Sequence, residues 1–317
     1  MADDQLTVPG SDMPPIRRSC GTMPVHEMLL RSHPEYLDAR TKIENHYFRS
    51  LQMGLAPQRA GPVTIPVVVH VVYHTTAQNI SDAQVKSQID VLNRDFRALN
   101  PDVANAPPPF QGLASDAQIQ FALARLDPAG QPTNGITRTA TPVAGFSQDN
   151  SVKFTAQGGA DAWPSDRYLN IWVCSLGGGL LGYAQFPGGP AATDGVVILH
   201  TAFGTVGTAT SPFNLGRTTT HEVGHWLNLR HIWGDDGNGC SGDDYVGDTP
   251  NCAGPNYGKP TYPHVSCNNA PDGDLFVNFM DYVDDVAMVM FTSGQVLRMQ
   301  ISLQNDRGSI GSDPSLV

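Results

Sequence analysis

The sequence predicts an α/β fold in which helices cover a twisted, mostly parallel sheet. Residues 63–73 are nearly all β-branched, which is typical of a buried strand. Ser81 can cap a helix that extends to about residue 99, because Val85, Ile89 and Leu92 recur at three- and four-residue spacing. Further strand-like segments lie at 119–126, 168–176 and 196–200. Strands that alternate with helices in this way indicate a parallel sheet.

Two more helices are expected outside this alternation. Residues 34–51 have a helical pattern with little sustained apolar face, so this helix has to lean on a larger body. Gly and Pro in the segment 54–61 indicate an exposed linker after it. Thr292 can cap a closing helix whose apolar side carries Val296 and Met299.

Length and composition exclude several classes of protein. The 317 residues suffice for one large domain or two modest ones with a sizeable core. A formal net charge of −11 argues against nucleic acid as a partner, whereas it suits calcium and basic substrates. No apolar run approaches the ~20 residues that span a bilayer. The first residues lack the basic start and apolar segment of a signal peptide, so none is expected in the chain as given.

The stretch from His221 to His231 contains the candidate metal ligands and the candidate general base. His221 and His225 lie four residues apart, so a helix presents both imidazoles to one metal ion. A continuous helix would carry His231 roughly 9 Å further along the axis, so the helix has to break after His225. Asn228 is the expected break, because asparagine tolerates a left-handed backbone. Three histidines with an open fourth position are typical of catalytic zinc, and Glu222 can act as general base.

The extended motif resembles the zinc signature of the metzincins, H-E-x-x-H-x-x-G-x-x-H, with Asn228 in place of the usual glycine. Phe-Met-Asp-Tyr at 279–282 resembles the metzincin Met-turn. Four further sequences are similar to those of the pappalysin family, in particular its ulilysin-like secreted prokaryotic members: His-Ile-Trp-Gly-Asp, Asp-Thr-Pro-Asn, Asn-Tyr-Gly and Leu-Gly-Gly-Gly-Leu-Leu-Gly-Tyr-Ala. The resemblance extends over residues 20–299 or so.

The resemblance implies a division of the chain into a pro-segment, 1–58, and a metzincin catalytic domain, 59–317. In such a domain, an upper sheet subdomain (59–228) lies above a horizontal cleft, and a smaller, irregular Met-turn subdomain (229–317) lies below it.

The resemblance also implies roles for single residues of the cleft. The three histidines hold zinc, and Met280 lies beneath their rings as a polarizable floor. Tyr282 donates a hydrogen bond to the oxyanion. Glu222 takes a proton from the attacking water and returns it to the leaving amine.

Cys20 is expected to be a latency switch, since ulilysin-like precursors carry a cysteine in this position and an odd count of five leaves one unpaired. Its thiolate would take the fourth zinc position, and Arg17 and Arg18 are expected to help keep the sulfur deprotonated. A spare thiol on a terminal segment is the alternative. Because ulilysin-like enzymes cut before Arg or Lys, the bond between Gln58 and Arg59 is the expected activation site.

The glycine-rich segment at 177–184 has two interpretations. Its glycines match the Gly-x-Gly-x-x-Gly spacing of dinucleotide sites, but the Gln-Phe-Pro-Gly-Gly-Pro that follows breaks the helix such a site requires. The resemblance implies instead an edge strand that pairs with substrate through main-chain hydrogen bonds. The residues expected to take part are Gly179, Leu180, Leu181, Gly182 and Tyr183.

Carboxylates crowd the region 235–285. Such loops are often only solvated, and a calcium site built from carboxylate and carbonyl oxygens is the alternative. The resemblance implies that Asp244, Val246 and Thr249 bind calcium, with Asp248 as a further candidate ligand.

The remaining cysteines have different expected fates. The resemblance implies a disulfide between Cys240 and Cys267 beside the calcium loop. Cys174 is expected to be a buried thiol in a strand, and Cys252 has no assigned role.

Taken as a whole, the resemblance implies a secreted zinc endopeptidase, made as a zymogen, that acts on peptides or proteins. The sequence does not determine the oligomeric state, for which a monomer is favoured. Ulilysin-like enzymes prefer Arg or Lys just after the scissile bond. An acidic side chain in the pocket binds that residue. Asp285 is the candidate for this role, and Asp284 is the alternative. Two competing interpretations are a processing protease of narrow specificity and a catalytically silent zinc-binding module, and the intact Glu222 argues against the second.

Overall fold

A computed structural model describes residues 15–54, 61–237 and 239–317. The strands are β1 (Val63–Tyr73), β2 (Ile119–Leu123), β3 (Ile136–Ala140), β4 (Leu169–Cys174), β5 (Gly182–Ala184) and β6 (Val196–Leu199). The α-helices are α1 (Thr22–Ser32), α2 (Pro34–Gln52), α3 (Asp82–Asp95), α4 (Arg217–Trp226) and α5 (Ser293–Asn305). Short 3₁₀ turns connect several of them.

The six strands form one sheet with β5 at its edge. The order is β2-β1-β4-β6-β5, and β3 continues beside β1 where β2 ends. All pairs are parallel except β5 with β6. The predicted α/β architecture with a mostly parallel sheet is therefore confirmed, and the strands expected at 119–126, 168–176 and 196–200 are β2, β4 and β6.

The central strand β1 explains why the sheet is buried on both faces. Eight consecutive residues of β1, from Ile65 to Val72, are buried. β-Branched side chains fit such a pleated, enclosed surface. Residues of β1, β4 and β6 contribute to the main hydrophobic core together with α3 and α4.

The helix α3 begins as predicted and ends earlier. The Ser81 hydroxyl accepts a hydrogen bond from the Gln84 amide, which is an N-cap. The helix stops at Asp95 rather than near residue 99, because Ala98 adopts a left-handed backbone with φ 49° and the Leu99 amide turns back to the Arg94 carbonyl.

The closing helix α5 has the predicted start. The Thr292 hydroxyl accepts a hydrogen bond from the Gln295 amide, and the Gln295 side chain returns to the Thr292 amide. From residue 229 onward, α5 is the single α-helix among the residues that the structure describes, and irregular loops form the rest.

The N-terminal part folds into two helices that lie on this body. The helix expected at 34–51 is α2, and α1 precedes it. Val25, Leu29 and Tyr36 pack in a cluster with Trp172 and Tyr183 of the sheet, which is the larger body that α2 requires. Within the described ranges, no helix is both long and apolar enough to cross a membrane.

Candidate metal centre and substrate cleft

The helix α4 presents the first two histidines and then breaks. Every residue of α4 is buried, and the helix ends at Trp226. Asn228 follows in the left-handed region with φ 78°, as predicted. The chain therefore turns back after His225 and brings His231 to the other two imidazoles.

Each imidazole is oriented by a hydrogen bond from its Nδ1. His221 Nδ1 lies 2.7 Å from the Phe279 carbonyl oxygen, and His225 Nδ1 lies 2.8 Å from that of Leu229. His231 Nδ1 lies 2.5 Å from Asp235 Oδ1. Because Nδ1 donates in all three rings, each Nε2 carries a lone pair and faces the shared centre.

The three Nε2 atoms fit a single cation. Nε2 of His225 lies 3.1 Å from Nε2 of His221 and 3.1 Å from that of His231. Ligands at ~2.05 Å in tetrahedral geometry around zinc are ~3.3 Å apart, close to these spacings. Burial lowers the pKa of His221 and of His225 well below the usual range, so both rings are neutral ligands. Three lone pairs that face one another in a buried site repel unless a cation lies between them.

The Met-turn lies directly beneath this centre. The Met280 sulfur occupies the space next to Gly224, where a Cβ atom would approach it to 2.5 Å. The preceding residue, Phe279, provides the carbonyl that orients His221. The predicted packing role of Met280 therefore includes a reason for glycine at position 224.

Tyr282 lies against the imidazoles. Its ring meets His231 edge-on with 4.9 Å between centroids, and its centroid lies 5.8 Å from that of His221. Burial raises the pKa of the Tyr282 phenol well above its usual range. The hydroxyl therefore stays protonated and can donate a hydrogen bond.

Glu222 is buried beside the histidines. Its Oε2 accepts hydrogen bonds from the Thr22 hydroxyl at 2.9 Å and from the Cys20 sulfur at 3.3 Å. Burial raises the pKa of Glu222 to about 7. A carboxyl group with such a pKa exchanges protons readily near neutral pH, as a general base must.

Cys20 lies at the fourth position around the shared centre. Its Sγ and one nitrogen of each histidine all lie within 4.8 Å of one another. Burial, and then the Glu222 carboxylate, raise the pKa of the Cys20 thiol well above its usual range. Neither Arg17 nor Arg18 is among the groups that lower this pKa, which corrects the expectation that they keep the sulfur deprotonated. A metal ion held by the three histidines would stabilise a thiolate at this place.

The chain around Cys20 pairs with the edge strand. The Leu181 amide donates to the Ser19 carbonyl, and the Gly21 amide donates to the Gly182 carbonyl. Cys20 and Gly182 form a parallel bridge, and the Thr22 hydroxyl accepts from the Ala184 amide. An extended chain thus lies along β5, as expected for this glycine-rich segment. Tyr183 points the other way, into the core.

Arg18 fills a pocket at the other side of the metal centre. Its Nη2 donates to Asp285 Oδ1 at 2.6 Å, its Nη1 to Thr218 Oγ1 at 3.0 Å, and its Nε to the Val283 carbonyl at 3.1 Å. The guanidinium also lies over the Phe213 ring at 5.1 Å. Of the two predicted carboxylates, Asp285 is in this pocket. Its Oδ2 accepts hydrogen bonds from the backbone amides of Leu215 and Arg217.

Several residues of this site were missed at the sequence level. Thr218 and Phe213 lie in and before α4 without any recognisable spacing to Asp285. Asp235 follows His231 by four residues, which is a signal that would have suggested its orienting role. Arg17 lies over the Tyr257 ring at 5.2 Å, outside the Asp285 pocket.

The acidic loops divide into two groups. The Thr249 hydroxyl lies 2.8 Å from Asp244 Oδ2 and 2.8 Å from the Val246 carbonyl oxygen. These three oxygen atoms, the candidate calcium ligands, therefore lie close together. Asp248 is not among them. Its carboxylate accepts from the hydroxyls of Thr292 and Ser293 and from an amide at the start of α5, which corrects its expected place in the calcium site.

The cysteines follow expectation where the structure describes them. Cys240 and Cys267 form the predicted disulfide. Cys174 is a buried free thiol in β4, and Cys252 is also buried and free. The bond between Gln58 and Arg59 lies outside the described residues.

The class that this fold and this site define is that of the zinc metalloendopeptidases, and the comparisons with known proteins agree. A family model described as peptidase M43, pregnancy-associated plasma protein-A, matches residues 153–304. The extracellular metalloprotease of Pyricularia oryzae is 35% identical over 256 residues, which cover 78% of this chain and 77% of that protein. Extracellular metalloprotease 1 of Coccidioides posadasii is 31% identical and covers 89% of this chain and 88% of its own length.

Two solved structures from Tannerella forsythia are also similar. A promirolysin mutant matches with a TM-score of 0.85 and 50% identity over 92% of this chain and 96% of that one. Mature mirolysin in complex with a cleaved peptide matches with a TM-score of 0.77 and 55% identity over 79% of this chain and 96% of that one. The chain therefore belongs to the pappalysins, the peptidase M43 family, and the predicted resemblance is confirmed.

Gly182 allows β5 to lie close to Glu222, which yields a prediction. A Cβ atom at Gly182 would lie 2.8 Å from the Val197 carbonyl and 3.0 Å from Glu222 Cγ. We expect Gly182→Ala to lower kcat of the activated enzyme by about tenfold or more, because small displacements of a catalytic group are costly. Gly177→Ala is the matched control, since its Cβ would meet only an ordinary contact at 3.7 Å. Equal peptidase activity in the two variants, with equal bound zinc, would contradict this account of Gly182.

Proposed function

We propose that this protein is made as a zymogen and, once activated, cleaves peptide bonds on the amino side of arginine and lysine. The single observation that carries this proposal is Arg18, whose guanidinium lies in the Asp285 pocket while Cys20, two residues later, lies at the metal centre. The pro-segment thus presents a basic side chain in the place where we propose that a substrate's basic side chain binds.

The proposed reaction uses three parts of the cleft. His221, His225 and His231 would hold a zinc ion, which when bound would supply Lewis-acid chemistry to water and to the substrate carbonyl. Glu222 accepts a proton from the attacking water and delivers it to the leaving amine. The Tyr282 phenol donates a hydrogen bond to the oxygen that gains negative charge.

The shape of the Asp285 pocket favours arginine over lysine. Three acceptors, on Thr218, Val283 and Asp285, meet three different nitrogen atoms of the Arg18 guanidinium. A lysine ammonium is a compact charge that cannot span the same acceptors at once. We therefore propose that lysine is accepted less well, through Asp285 alone.

Latency is proposed to depend on residues 1–58, with 59–317 as the catalytic domain and the bond between Gln58 and Arg59 as the activation site. Cys20 would then be the latent-form zinc ligand. The comparisons support a precursor form, since promirolysin matches 92% of the chain and mature mirolysin 79%. N-terminal sequencing of the activated protein tests the cleavage site, and a first residue beyond Ile65 would exclude it.

We infer that the enzyme is secreted and acts on peptides or proteins as a monomer. The named relatives are extracellular metalloproteases, and a disulfide is typical of an oxidising compartment. A silent zinc-binding module has no use for a carboxyl group poised like that of Glu222. A processing protease of narrow specificity remains the second candidate, which the cleavage map below distinguishes.

The first test is digestion of a denatured proteome with the protein freed of residues 1–58, alongside Glu222→Ala. New termini should begin with arginine, and less often lysine, and should be absent with the variant. Cleavage at a handful of sites would favour the narrow processing protease. Cleavage without a basic bias would remove the specificity proposal, and no cleavage with zinc bound would leave the silent module.

Asp285→Asn separates specificity from catalysis. The variant keeps the shape of the pocket but removes the charge that pairs with the guanidinium, so we expect kcat/KM for arginine substrates to fall by about a hundredfold. Zinc content should be unchanged. Asp284→Asn is the control, because Asp284 lies outside the contacts of Arg18. Equal losses in both variants would remove Asp285 from the role of specificity residue.

The calcium site is proposed at Asp244, Val246 and Thr249. Burial raises the pKa of Asp244 to about 7, so its carboxylate is costly to keep charged without a cation. We expect Asp244→Asn to abolish calcium binding measured by titration calorimetry, and to remove the dependence of the melting temperature on added calcium. Unchanged binding in this variant would place calcium elsewhere.

A further inference from the structure

The helix α2 is attached to the catalytic domain by a buried ion-pair cluster away from the metal centre. Its Glu44 carboxylate accepts two hydrogen bonds from Arg298 Nη2, at 2.7 and 2.8 Å, and one from Arg40 at 2.7 Å. Burial alone would raise the pKa of Glu44, but Arg298 and then Arg40 lower it below its usual range. The carboxylate is therefore bound in its charged form.

Arg298 is held in position by the catalytic domain itself. It belongs to α5, its side chain is fully buried, and its Nε donates to the Asn228 carbonyl at 2.7 Å. The face of its guanidinium is covered by the Tyr47 ring of α2 at 4.4 Å. Without α2, this guanidinium loses its carboxylate and the nearer of its two aromatic neighbours, and keeps the Tyr245 ring at 5.7 Å.

Arg40 makes the second half of the contact. Its Nη2 donates to Asn228 Oδ1 at 2.7 Å, and its Nη1 donates to the Pro187 carbonyl at 3.2 Å. Its guanidinium also lies over the Phe186 ring at 5.0 Å. The side-chain amide of Asn228, at the position where the metzincin signature has glycine, thus binds the pro-segment directly.

The end of α2 lies on the loop that carries Asp244. The Tyr47 hydroxyl donates to the Tyr245 carbonyl at 2.9 Å, and Phe48 meets the Tyr245 ring edge-on at 5.4 Å. Besides its packing against the sheet, α2 therefore contacts residues 186–187, Asn228, Arg298 and this loop.

We propose that the catalytic domain carries a carboxylate-binding site at Arg298, which holds Glu44 of its own pro-segment independently of zinc. The proposal rests on the proposed function in so far as residues 1–58 are a pro-segment. Its ligand class is a carboxylate on a helix with aromatic residues in the next turn, since both oxygens are bound and Tyr47 covers the guanidinium. Cleavage of the linker leaves this attachment intact, so the pro-segment stays bound after the cut until Glu44 leaves Arg298.

The test measures amide hydrogen exchange in full-length protein with Glu222→Ala, which prevents self-cleavage. Glu44→Gln removes the charge and preserves helix propensity, so the amides of α2 should exchange at least about tenfold faster. Glu35→Gln, the same change at an exposed position of α2, should leave exchange within about twofold. Cys20→Ser should loosen the segment around residue 20 and leave α2 protected.

Exchange of α2 that is the same in Glu44→Gln and Glu35→Gln would overturn the proposal, as would loss of α2 protection in Cys20→Ser. The amides of β1 and β4 serve as an internal reference for folding. If Glu44→Gln loosens these strands too, Glu44→Asp, which keeps the carboxylate, should restore part of the α2 protection, and failure to do so would also overturn the proposal.

A second measurement separates this proposal from the proposed function. With Glu222 intact, the Glu44→Gln zymogen should mature faster than the parent, while the mature enzymes have identical sequences and identical kcat/KM. If no variant shows peptidase activity, the proposed function fails, yet the exchange experiment still decides whether Arg298 binds Glu44.

Discussion

The structure depends on one constraint, the convergence of three imidazole Nε2 atoms in a buried space. Nε2 of His225 lies 3.1 Å from Nε2 of His221 and from Nε2 of His231. Nitrogen atoms whose lone pairs face each other at this distance are stabilised by a cation between them, so the surrounding chain has to hold the three rings in place. The sharp end of α4, the left-handed Asn228 and the carbonyl of Phe279 each serve that requirement. Because these groups come from both parts of the catalytic domain, the metal centre also joins the sheet to the irregular lower part.

The lower part replaces regular secondary structure with buried carboxylates that accept hydrogen bonds from backbone amides and from polar side chains. Asp281 accepts hydrogen bonds from the amides of Asn256 and Tyr282, and Asp274 accepts from Ser266 and Asn269. Buried polar groups need such partners, because an unpaired one costs more than a hydrogen bond gains. This explains how a region with one α-helix among its described residues holds Met280 and Tyr282 against the imidazoles.

The pro-segment meets the catalytic domain in three chemically distinct places. Cys20 lies beside the three histidines of the metal centre, Arg18 pairs with Asp285, and Glu44 pairs with Arg298. Each is a charged or polar group that gives its site a further partner. Arg18 and Cys20 lie two residues apart on one extended stretch, and Glu44 lies on α2. The helices α1 and α2 also pack apolar side chains against the sheet.

The sequence by itself determined strands β1, β2, β4 and β6, the helix starts at Ser81 and Thr292, the candidate zinc histidines and the turn at Asn228, whereas β3 and α1 were not predicted from it. These are local features, since periodicity, caps and motif spacing act over a few residues. Tertiary structure alone decided that Arg18 pairs with Asp285, that Asp248 caps α5, and that Glu44 binds Arg298. Those partners are from 44 to 267 residues apart, so no local pattern relates them, and burial in a shared space selects which charges meet.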